Sequence, residues 1–167
     1  LTVDSAVLTG APGDVAVTTL TATSLKTVTI TGDADTTLPA FATTVTSFSA
    51  EGATGDMSVT FAGANVTATG GDGADTFAFG TSLTDDDTVN GGAGTDTLSL
   101  TGIDGTKNLQ GSSIETLSLT DSGNTGHTNT YDVDDFTTLT TLNLIMSDAN
   151  AQVTVNNMAA GITTVID

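Results

Sequence analysis

Apolar residues recur along the chain in one short pattern. Leu25-Lys-Thr-Val28-Thr-Ile30-Thr-Gly32 reads apolar-x-x-apolar-x-apolar, and the spacing returns in Val45-Thr-Ser-Phe48-Ser-Ala50. It returns again in Ile114-Glu-Thr-Leu117-Ser-Leu119, in Leu139-Thr-Thr-Leu142-Asn-Leu144 and, shortened, in Ile162-Thr-Thr-Val165. The last two apolar positions alternate with polar ones, the period of a strand with one buried face. A second apolar pair precedes most copies: Val17 and Leu20, Leu38 and Phe41, Val133 and Phe136, Val155 and Met158.

One such unit of about 20–25 residues cannot bury its apolar side chains alone, whereas stacked units share a continuous core. Roughly seven or eight coils fit in the 167 residues. At ~4.8 Å per stacked strand they predict a rod roughly 35–40 Å long. A parallel β-helix and a leucine-rich horseshoe both use this period. The horseshoe wants an Asn or Cys at a fixed place and a helical return, but the return segments here are Thr, Ser, Gly and Asp. The expected fold is therefore all-β, a parallel β-helix or β-roll-like solenoid.

Between the apolar segments lie acidic glycine turns. Glu51-Gly-Ala-Thr-Gly-Asp56, Gly70-Gly-Asp-Gly-Ala-Asp75 and Gly91-Gly-Ala-Gly-Thr-Asp96 align, with Asp33-Ala-Asp35 one coil earlier. Their terminal aspartates, Asp35, Asp56, Asp75 and Asp96, are 21, 19 and 21 residues apart, which predicts a column on one edge. Carboxylates stacked roughly 5 Å apart repel unless hydrated, spread out or bridged by cations. Calcium suits the bridging role, because it accepts carboxylate and backbone oxygens in an adaptable shell.

Composition sharpens this picture. Twenty acids stand against Lys26 and Lys107, a net charge of −18 that disfavours nucleic acid and anionic lipid as partners. The acids are nearly all Asp, a turn residue, and the Thr-rich remainder is β-forming. With 37% hydrophobic residues in regular patterns, disorder is the poorer reading. Cysteine is absent, so no disulfide holds the coils together. No apolar run approaches the ~18 residues of a membrane span, and no signal peptide is recognisable. The chain starts at Leu1 and stops at Asp167 inside the repeat, so a segment of a larger protein is expected.

Other chemistry is weakly signalled. His127 is the only histidine, in a polar loop without a Gly-x-Ser-x-Gly elbow, so neither a hydrolytic triad nor a zinc site is expected. The glycine runs lack the Lys-Ser/Thr of a phosphate loop. Asp132, Asp134 and Asp135 lack EF-hand spacing and read as a solvated turn. Asn65-Val-Thr67 fits a glycosylation triplet that arises readily by chance.

Gly70–Ala78 and Gly91–Ser99 both match Gly-Gly-x-Gly-x-Asp-x-apolar-x, and so resemble the calcium-binding nonapeptides of RTX proteins. The resemblance implies an ion held between turns one coil apart. It assigns the carbonyls of Gly70, Asp72, Gly92 and Gly94 and the carboxylates of Asp75 and Asp96 as ligands, with Asp56 and Asp35 as further candidates. The chain departs from the family where the twelve residues from Phe79 to Asn90 break the nine-residue tandem, so a regular two-sided array is not expected. Asp85, Asp86, Asp87 and Asp104 are candidates for the opposite edge. The Thr/Ser/Ala-rich coils with Ile-Glu-Thr-Leu and Leu-Thr-Thr-Leu segments are similar to the calcium-dependent S-layer proteins of Gram-negative bacteria, those of Caulobacter among them. That similarity implies a non-enzymatic, type I-secreted solenoid that assembles on the cell surface with calcium. Its partners would be calcium and lattice neighbours, with cell-surface polysaccharide reached through other parts of the parent. A stalk of an RTX adhesin, or the export domain of an RTX protease or lipase, is the alternative.

Overall fold

The computed structural model describes residues 24–63, 65–102, 105–121, 128–147 and 152–167, and the backbone of strands at 5–9 and 15–16. Those residues hold seventeen strands and no helix, and every pairing among those strands is parallel. The chain is an all-β solenoid of stacked coils.

Three sheets form its walls. The first, six-stranded, joins β1 (Ser5–Thr9), β3 (Thr27–Gly32), β5 (Ser47–Ala53), β7 (Thr67–Thr69), β9 (Thr88–Asn90) and β12 (Gln110–Ser112). The second, eight-stranded, contains the even strands β2 (Val15–Ala16), β4 (Thr36–Thr37), β6 (Met57–Thr60), β8 (Thr76–Gly80) and β10 (Thr97–Thr101). It continues through β13 (Thr116–Thr120), β15 (Thr141–Ile145) and β17 (Thr163–Ile166). A three-stranded sheet of β11 (Gly105–Asn108), β14 (Thr128–Asp132) and β16 (Gln152–Asn156) takes over from the first sheet in the upper coils.

Alternation explains the walls. In β10 and β13 the sequence Thr-Leu-Ser-Leu-Thr puts both leucines in the core and the hydroxyl residues outside. In-register stacking then places Leu98 on Leu117 and Leu142, and Thr97 on Thr116 and Thr141. One hydrophobic core runs unbroken from Leu25 to Leu142. Phe41, Phe61 and Phe79 climb one side of it, with ring centroids 5.7 and 4.9 Å apart, and Phe48 leans on Phe61 at 5.7 Å.

The apolar repeat proves to be out of phase with the walls. Val28 and Phe48 lie in the six-stranded sheet, whereas Leu117, Leu142 and Val165 lie in the eight-stranded one. The pattern describes a corner plus the strand that leaves it, and each coil contains more than one such place. Leu38 and Phe41 therefore form the corner leading to β5, while Val133 and Phe136 lead to β15. Val17 and Leu20 lie outside the described residues.

Candidate metal centre

The acidic glycine turns make the corner where the six-stranded sheet hands over to the eight-stranded one. Their glycines are fixed by how closely the coils approach. Gly94 has φ +113°, and a Cβ there would strike the carbonyl oxygen of Gly73. One on Gly73 would in turn strike the carbonyl of Gly55. A Cβ on Gly91 would collide with the carbonyl of Ser113 and with Asp96 Oδ2. The column of glycines is thus a packing requirement before it is anything else.

Hydrogen bonds link the carboxylates from coil to coil. Asp35 Oδ1 accepts the Asp56 N–H at 2.8 Å, and Asp56 Oδ1 accepts the Ala74 N–H at 2.7 Å. Asp75 Oδ1 accepts from Met57 at 2.9 Å, Asp96 Oδ1 from Asp75 at 2.8 Å, and Glu115 Oε2 from Asp96 at 2.8 Å. The lower two side chains reach up a coil and the upper three reach down.

The alignment of the aspartates is finer than equal spacing implied. Ser58 pairs with Thr76, so Asp75 follows the register of Met57 rather than of Asp56. Asp35 and Asp56 consequently face solvent, while Asp75 and Asp96 occupy inward positions and are 1% and 0% exposed. Asp75 and Asp96 do stack on successive coils.

Burial sets their protonation. Loss of solvent raises the Asp75 carboxyl above its ordinary value; the N–H groups of Gly71 and Met57 pull it down, and the charge of Asp56 adds to the rise. Asp96 is pushed up to about 6, chiefly by burial. The hydrogen bond from Asp75 opposes that shift, and the charges of Asp75, Glu115 and Asp56 reinforce it.

The two aspartates differ in their second oxygen. Asp75 Oδ2 accepts the Gly71 N–H at 2.8 Å. Asp96 Oδ2 is buried without a hydrogen-bond partner. At the residue matching Gly71 the backbone has turned over: Gly92 has φ +103°. An open carboxylate oxygen, sharing with the Ser113 carbonyl the space that a Cβ on Gly91 would fill, fits a hard cation, so calcium suits Asp96 better than Asp75.

Beside this corner a shallow cleft of about 210 Å³ is lined by Glu51, Thr69, Gly70, Asp72, Asn90 and Gly92. It brings together three of the four backbone positions assigned by resemblance, Gly70, Asp72 and Gly92, but neither Gly94 nor the carboxylates of Asp75 and Asp96 are in its lining. Glu51 and Glu115 were not singled out by the sequence; the only signal was their place in the repeat, Glu115 lying 19 residues beyond Asp96. Among the described residues no three His, Asp or Glu side chains are grouped to hold a metal, so backbone oxygens would complete any shell here.

On the opposite corner the acids serve as caps. Asp87, 2% exposed, accepts the Val66 N–H at 2.5 Å through Oδ1 and the Thr84 N–H and hydroxyl at 2.6 and 3.0 Å through Oδ2. Asp85 Oδ1 accepts the Asn108 N–H at 3.2 Å, and Asp86 is exposed. Asp132 accepts the Asp134 N–H and the Asn157 amide, with Asp134 and Asp135 in solvent. Asp104 and His127 lie outside the described residues. No protein-family model, curated protein or solved structure matches the chain at a significant level.

Proposed function

We propose that this chain is a structural, calcium-stabilised segment of a secreted bacterial surface layer, with no catalytic role. The observation that carries the reading is Asp96 Oδ2, a buried carboxylate oxygen with no donor, one coil above buried Asp75. A charge so placed is costly until a proton or a cation meets it. Calcium, when bound, supplies positive charge and draws carboxylate and carbonyl oxygens of neighbouring coils onto one centre. Asp96, with Asp75 and the carbonyls of Gly70, Asp72, Gly92 and Gly94, would hold it, and Asp56 and Asp35 would line its approach. Secretion, cell-surface placement and lattice neighbours belong to the same proposal, resting on the resemblance of the glycine turns.

The test is thermal unfolding in chelator and in millimolar calcium. A ligand bound only by the folded state adds about 2.7 kcal/mol at a hundredfold excess over Kd. For a domain of this size that raises Tm by roughly 5–10 °C. Superimposable melting curves would sink the proposal.

A further inference from the structure

Among the described residues three buried side-chain oxygens lack a hydrogen-bond partner: Asp96 Oδ2, Asp121 Oδ1 and Asn129 Oδ1. The first belongs to the acidic corner. The other two flank a different corner, where the eight-stranded sheet hands over to the three-stranded one. Asp121 directly follows β13, and Asn129 is the second residue of β14.

The coil beneath shows how near they lie. It crosses this corner from Thr101, the register partner of Thr120, to Gly105, the partner of Asn129. Asp121 and Asn129 therefore lie one coil above Gly102 and Gly105, which are three residues apart and so at most about 11 Å between their own α-carbons. Both side chains are buried, at 5% and 3% exposure. Among the described residues the Asp121 carboxylate accepts one hydrogen bond, from the Ser147 hydroxyl, 3.4 Å from Oδ2.

We propose that Asp121 and Asn129 form a second cation site, for a hard, oxygen-seeking divalent ion such as calcium. A buried carboxylate and a buried amide oxygen are each destabilising when unmatched. One ion satisfies both oxygens at once, in a protein whose charge of −18 concentrates cations around it. Carboxylate plus amide carbonyl is a donor set that calcium accepts and softer metals do not favour. The proposal stands on these two residues and is independent of the acidic corner.

A built-in reporter makes the test specific. Tyr131, the only tyrosine in a chain without tryptophan, sits two residues beyond Asn129 on the same buried face of β14. Terbium stands in for calcium, and its emission on tyrosine excitation reports an ion near Tyr131. The whole 167-residue chain should show sensitised emission that calcium displaces. Asp121→Asn and Asn129→Leu should each cut it at least tenfold, while Asp96→Asn and Asp132→Asn leave it within twofold. Calcium titration calorimetry should lose one ion per chain in Asp121→Asn and a different one in Asp96→Asn. Loss in Asp96→Asn alone would overturn this inference and leave the acidic corner standing; loss in Asp121→Asn alone would do the reverse. Unchanged emission in folded Asp121→Asn, or equal stabilisation of the wild-type chain and that variant by calcium, would show that Asp121 holds no ion, and would also overturn it.

Discussion

Asp96 is the residue on which the acidic corner turns, because under the calcium proposal its raised carboxyl should give calcium-free and calcium-loaded protein opposite responses to pH. Its carboxyl rises from an ordinary 3.8 to about 6, so the folded state binds the proton more tightly than the unfolded chain. Without metal, that contribution is fully present below the unfolded value near 3.8 and disappears as pH rises through about 6. The difference is on the order of 3 kcal/mol for a group this buried. Calcium-free protein should therefore unfold at higher urea at pH 5 than at pH 7.5, and Asp96→Asn should remove most of that dependence. With calcium present the proton competes with the metal, and acid should destabilise instead. Urea midpoints at the two pH values, with and without chelator, test both signs; a wild-type midpoint indifferent to pH in chelator would contradict the assignment.

At the scale of strands and corners, stability comes from continuity of the core. Phe61 touches Phe41, Phe48 and Phe79 from three successive levels, so removing it opens a cavity that no single coil can close. Phe61→Ala should cost about 3–5 kcal/mol, as expected for a buried aromatic. Ile162→Ala, in the half-covered last coil, should cost a small fraction of that, because its side chain packs against the core from one side. Equal losses at the two sites, read from urea midpoints with unchanged slope, would mean that the core is not continuous.

The strands themselves were legible in sequence, since Leu98, Leu100, Leu117 and Leu119 alternate with Thr and Ser as a half-buried sheet requires. The glycine corner was legible for a similar reason: repeated Gly and Asp at a fixed interval leave few conformations open to the chain. Phase was not legible. A corner followed by a strand reads alike wherever it falls, so Phe48 and Leu142 looked equivalent although they belong to different sheets. The same ambiguity hid that Asp75 replaces Met57, rather than following Asp56, in the stack. One residue of register separates a solvated carboxylate from a buried one, and side-chain spacing cannot resolve that single step. Asp121 and Asn129 gave no sequence signal, because nothing in their local sequence marks an unmatched oxygen.

At the scale of the whole molecule, charge opposes assembly while shape favours it. The outermost level, β16 and β17, exposes Val165 at 41% and Ile166 at 69% beside Met158 at 39%. β17 pairs with β15 on one side, and among the described residues no strand pairs with its other edge, so in the 167-residue chain that edge can take a further strand, from a continuation of the solenoid or from another copy. Apolar surface and an open edge together favour strand-on-strand stacking of copies, but each copy carries −18 and repels the next. Calcium held at the corners, as proposed, would reduce that charge, whereas sodium only screens it over roughly 10 Å at moderate salt. Calcium should therefore promote self-association beyond sodium or magnesium at matched ionic strength, as light scattering would record. Ile166→Lys, which places a charge on the open edge, should suppress the calcium effect without lowering Tm by more than a degree or two. Scattering that stays monomeric in all three salts would remove the lattice-forming reading and leave a stalk or export module. Calcium-driven growth that survives Ile166→Lys would instead place the contact on the acidic flanks, with ions bridging them side by side.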